Sequence, residues 1–166
     1  MTKPGRLQSL MIAHGAMVLL AGMFSGLPFA FNLLGAIELW PIPFRIDVQI
    51  PGTERGWRAA HIGNILNGTM VMAIGAVLPA LRLPDSMRPK IAWSLIITAW
   101  GNAVFYVAAV FTTGRALSFG ENRHGGGDWF NSIGYLTAMV AVFTVIFALV
   151  QVVRGGLAAA AEATED

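Results

Sequence analysis

Cysteine is absent from the 166 residues, which excludes a disulfide framework, a thiolate metal site and a cysteine nucleophile. Charge is nearly as scarce. Eleven basic and nine acidic residues make up 12% of the chain, about half the share usual in a soluble domain. No Asp, Glu, Lys or Arg occurs between Arg6 and Glu38, Arg58 and Arg82, Lys90 and Arg115, or Asp128 and Arg154, gaps of 31, 23, 24 and 25 residues. A helix needs roughly 20 apolar residues to cross the hydrocarbon core, so each gap is long enough for one span. The net charge of +2 is too small and too scattered for a nucleic-acid surface. HExxH, GxSxG and Walker patterns are missing, and the gaps hold no carboxylate pair of the kind that carries protons or ions.

What is present reads as an all-α, polytopic membrane protein. It is a single four-transmembrane-helix bundle with spans at about 7–37, 59–81, 91–114 and 129–153. The first gap follows Lys3 and Arg6 but is too long for a secretory h-region and lacks a small-residue cleavage site, so it reads as an uncleaved span. Both termini then share one side with six basic residues against five opposite, a margin too small to orient the bundle. Gly22 and Gly26 form a GxxxG pair suited to close helix packing, and Pro28 predicts a kink. The segment after Arg154 reads as a frayed, solvated end. Glu38 and Asp128 read as interfacial rather than catalytic.

Polar residues inside the spans are the candidates for function. At about 100° per residue, His61, Asn64, Gly68, Met72 and Gly75 share one narrow stripe of helix two, flanked by Asn67. A histidine above a small-residue track suits a flat ligand. It suits equally a histidine that caps the helix or bonds a neighbouring carbonyl. On helix three, Thr98, Asn102 and Tyr106 stand at i, i+4 and i+8, either lining a cavity or gluing helices. His14 and His61 are expected roughly 25–30 Å apart along the membrane normal, too far to share one iron. A single axial histidine with an open opposite position is the haem layout that fits. His124 lies in a glycine-rich loop that gives it no helix to stand on.

The runs GWRAAHIGNILNGTMV, AWGNAVFY and GRALSFGENRHGGGD, with NLLGAIEL at the end of helix one, resemble the styrene oxide isomerases over residues 10 to 130. The resemblance implies a homotrimer in the bacterial inner membrane, in contact with lipid, with haem b between neighbouring subunits. It implies His61 as axial iron ligand, and Asn67 and Tyr106 near the open iron face, holding a small apolar epoxide. The implied reaction is aryl epoxide to aryl acetaldehyde, by ring opening at a ferric Lewis acid and a 1,2-hydride shift. One departure from the family is Thr98, where some relatives carry an acidic residue. That puts a carboxylate role on helix three in question and leaves the haem site untouched. The alternative is a non-enzymatic membrane haemoprotein, an electron carrier or ligand sensor.

Overall fold

The computed structural model describes residues 5–39 and 41–163. Among them four long helices carry the chain: α1 (Arg6–Leu34), α2 (Glu54–Val77), α3 (Met87–Phe111) and α4 (Trp129–Glu162). All four are long and apolar enough to cross a bilayer. The multi-pass architecture read from the charge gaps is the one observed.

The helix ends differ from the charge boundaries for local reasons. Helix α1 stops at Leu34 because Gly35 turns left-handed (φ 65°) and its N–H bonds Phe31 O at 2.9 Å. Pro28 sits inside α1 without ending it. A short antiparallel hairpin, β1 (Ala36–Glu38) against β2 (Arg45–Asp47), takes up the end of the first gap. Helix α2 begins five residues ahead of the charge-free stretch. Thr53 caps it by accepting from Gly56 N at 3.0 Å, and Glu54 in the first turn suits the helix dipole. Asp128 caps α4 in the same way, accepting from Asn131 N at 2.7 Å. The end of α4 corrects the expected frayed tail. Helix continues to Glu162, because Gly155 packs against Leu81 and Leu83 and Glu162 pairs with Arg82. Residues 164–166 lie outside the described part.

Helices α1 and α2 meet along small residues. A Cβ added at Gly22 would lie 2.8 Å from Ile65 N, and one at Gly75 would lie 2.9 Å from Met11 Cβ. The backbones are therefore as close as GxxxG-type pairing allows. This overturns one expectation: the track of Asn64, Gly68, Met72 and Gly75 receives α1 rather than a flat ligand. Met11, Val18, Val71, Ile91 and Leu95 fill the core where α1, α2 and α3 meet. Outside, Phe24, Leu66, Phe143 and Leu157 are more than half exposed. Such a surface would aggregate in water but is ordinary against lipid.

Candidate functional site

His61 stands two turns into α2, against α1. Its Nδ1 lies 2.8 Å from the backbone oxygen of Gly22. A carbonyl can only accept, so Nδ1 carries the proton and, in the neutral ring, Nε2 keeps its lone pair. Nε2 has no hydrogen-bond partner among the described residues. Gly26 makes room for the ring, since a Cβ there would come within 2.9 Å of Cε1 and Nδ1. Phe29 lies beside it, with ring centroids 6.3 Å apart, and Arg58 stands over the Phe29 ring. A histidine whose Nδ1–H is held by a backbone carbonyl is fixed in orientation, the usual preparation of a metal-binding imidazole. The two sequence readings of His61, carbonyl partner and ligand, thus describe the two nitrogens of one ring.

Tyr106 of α3 lies on the other side of α2. Its ring rests on Gly63, where a Cβ would stand 2.8 Å from Oη and closer still to the ring carbons. Residues 61 and 63 are about 200° apart around a helix, so His61 and the Tyr106 seat flank opposite edges of one outward face. Asn67 joins Tyr106. Its amide nitrogen donates to Gly63 O at 2.8 Å and, at 3.4 Å, to Tyr106 Oη, while its oxygen accepts from Asn102 Nδ2 at 2.9 Å. The Tyr106 oxygen therefore accepts from within the bundle and its O–H is left to donate outward. In front of it is a pocket of about 650 Å³ lined by Glu54, Arg55, Arg58, Ala59, Ile62 and Gly63, with Arg58 paired to Glu54.

Thr98 does not share this site. It is fully buried against α4, donating to Ser94 O at 2.8 Å and meeting Thr144 Oγ1 at 2.8 Å. The expected polar line on α3 therefore divides, because each i+4 step rotates the side chain by about 40°. Two steps carry Tyr106 about 80° from Thr98, to a different neighbour.

A family profile described as styrene oxide isomerase matches residues 7–157. A styrene-oxide isomerase of Pseudomonas fluorescens is 33% identical over 128 residues, which is 77% of this chain and 75% of that one. The chain belongs to the styrene oxide isomerase family. It is an isomerase.

Within that family frame the structure brings Asn67 and Tyr106 into contact and sets His61 apart from them. His14 is elsewhere, with Nδ1 accepting from Trp100 Nε1 at 3.1 Å. His61 is level with Gly22 and Gly26, eight to twelve residues beyond His14 on α1. The two histidines are thus about 12–18 Å apart along the axis, closer than expected because α2 starts at Glu54. That is still too far for one iron. His124 lies in the loop, its pKa pushed below the ordinary histidine value by desolvation and then by Arg115, Arg123 and Arg55. Sequence reasoning missed Gly63, the seat of Tyr106, and the pocket wall of Arg55 and Arg58. A glycine between two polar residues in a span was the available signal for the first.

Proposed function

We propose that this chain is a multi-pass protein of the bacterial inner membrane that isomerises an aryl epoxide of the styrene oxide kind to the aryl acetaldehyde. The observation that carries this reading is the Tyr106 hydroxyl, braced by Asn67 from behind and facing a pocket with its proton free to donate. Such a donor orients an epoxide oxygen and stabilises the negative charge that grows on it as the ring opens. Asn67 holds Tyr106 and is itself held by Asn102, so the donor needs no rearrangement during the reaction. Ala59 and Ile62 beside Tyr106, with the surrounding bilayer, limit the water that would capture the benzylic cation as a diol. The reaction moves a hydride between neighbouring carbons of one molecule, so no external electron donor enters.

The residues fit a haem b. His61 presents Nε2 with its orientation set by Gly22, and Arg55, without an acidic partner among the described residues, would meet a haem carboxylate, whereas Arg58 beside it is already paired with Glu54. When bound, a ferric haem supplies Lewis acidity toward the epoxide oxygen. Because His61 and Tyr106 flank opposite edges of the same outward face of α2, two neighbouring copies would supply the His61 ligand and the Tyr106 donor to one haem. That supports a homotrimer with haem between subunits.

The test is haem content. His61→Ala should lose most of the bound haem and its Soret band, whereas His14→Ala should keep both. Full haem retention in the His61 variant would remove His61 as ligand.

A further inference from the structure

A second cavity, of about 380 Å³, lies on another side of α2, and none of its lining residues belongs to the Tyr106 pocket. Its walls come from all four helices: Ala21 and Ser25 of α1, Asn64 of α2, Trp100 and Ala103 of α3, Phe130 of α4. The volume is within the range of about 300–1,000 Å³ usual for small-molecule sites. Trp100 and Phe130 remain 38% and 44% exposed, so the cavity opens at the surface of the bundle.

The polar groups in it are unequal. Ser25 donates to Ala21 O of its own helix at 2.8 Å, and Trp100 Nε1 is engaged by His14. Asn64 is different: it is 1% exposed, and its buried Oδ1 has no hydrogen-bond partner among the described residues. Its amide nitrogen makes no hydrogen bond there either. A buried carboxamide left unmet is rare in folded proteins and calls for a partner. Its neighbour on the same helix face, His61, is bonded through Nδ1, and Asn67 one turn on is fully engaged. Water is a poor partner here, because an ordered water needs two to four polar contacts and the wall offers one free side chain.

We propose that this cavity is a second, non-reacting binding site for a small aromatic molecule that carries one hydroxyl and arrives dissolved in the bilayer. Trp100 and Phe130 present ring surfaces to an aromatic body. The hydroxyl oxygen can accept from the Asn64 amide nitrogen, the atom of the carboxamide that is not sealed from the cavity. No histidine, carboxylate or tyrosine lines the cavity, so nothing there performs proton or metal chemistry. The proposal is independent of the haem and of the isomerase reaction, and its test uses neither.

The experiment is a fluorine NMR titration of the full chain in lipid nanodiscs with para-fluorobenzyl alcohol and para-fluorotoluene, against empty nanodiscs. The two probes differ by one hydroxyl. The expected result is a preference for the alcohol of roughly three- to tenfold, the worth of one net hydrogen bond. Asn64→Leu should abolish that preference, with the fluorotoluene bound at least as well as before. Ala103→Leu, which fills the cavity and keeps Asn64, should weaken both probes, and Tyr106→Phe should change neither. Equal binding of the two probes to the parent, a preference that survives Asn64→Leu, or binding lost in Tyr106→Phe would each overturn the proposal.

Discussion

Gly63→Ala is the smallest change that tests whether the position of Tyr106 matters. The new methyl would stand 2.8 Å from Oη and nearer still to the ring carbons, against an ordinary contact of about 3.5–4.0 Å. The ring must therefore move by about 1 Å or more, away from Asn67, whose bond to it is already long at 3.4 Å. Folding should survive. Alanine is better than glycine in a helix by about 1 kcal/mol, and overpacking costs about 1–3 kcal/mol, so the net change is no more than about 2 kcal/mol. Turnover should not. A misplacement of about 1 Å costs on the order of 10²-fold, similar to the 10²–10³ expected when Tyr106→Phe removes the donor outright. The assay is the initial rate of aldehyde formation from styrene oxide, normalised to bound haem. The decisive arm is the double variant. If Gly63 acts through Tyr106, adding Gly63→Ala to Tyr106→Phe should cost little more. Parental turnover in Gly63→Ala, or losses that multiply in the double variant, would refute the assignment of Tyr106 as the oriented donor.

Two further outcomes follow from the same structure. Thr98→Val removes a hydroxyl that bonds Ser94 O, Ala141 O and Thr144 Oγ1. Thr144 keeps its own bonds to Val140 O and Ala141 O. The loss of stability should therefore be about 0.6 kcal/mol, the average for interhelical bonds in lipid, with activity unchanged; denaturation in mixed micelles and a rate measurement check both. His124 has its folded pKa pushed down, so the unfolded loop takes up a proton first as pH falls. Its contribution to loop stability is full above the unfolded value of about 6.5 and is lost as pH drops from there through the folded pKa. Limited trypsin cleavage at Arg115 and Arg123 should accelerate between about pH 7.5 and about pH 5.5 in the parent, and less so in His124→Gln.

The spans were legible because a bilayer excludes charge so strongly that the four gaps between Arg6 and Arg154 mark the helices almost alone. Helix ends were not, because capping by Thr53, Gly35 and Asp128 is indifferent to where hydrocarbon begins. The continuation of α4 was readable in principle, since Ala158 to Ala161 is a strong helix-forming run. The charged, alanine-rich composition of the tail is equally that of a solvated end. Within the spans, spacing along one helix showed which residues share a face but not what faces them. Gly68 and Gly75 could serve a ligand or another helix, and α1 proved to be the occupant. Thr98 could line a cavity with Tyr106 or bond α4, and the drift of the i+4 rows decided it.

Helix α2 is the element through which the separate findings connect. One edge carries His61, whose Nδ1 is tied to α1 and whose Nε2 is free. The opposite edge carries Gly63, which exists as a glycine so that α3 can lay Tyr106 across it. Asn67 lies between the helices, and its two polar atoms satisfy Gly63, Tyr106 and Asn102 together. Asn64, which faces the remaining gap, is left with none. A polar network inside a bilayer is stable only where every member is met. The contrast between Asn67 and Asn64, three residues apart on one helix, therefore separates a bracing side chain from one that still has a hydrogen bond to give. The first explains how a tyrosine donor can be fixed before substrate arrives. The second marks a place where the bundle binds something that it does not transform.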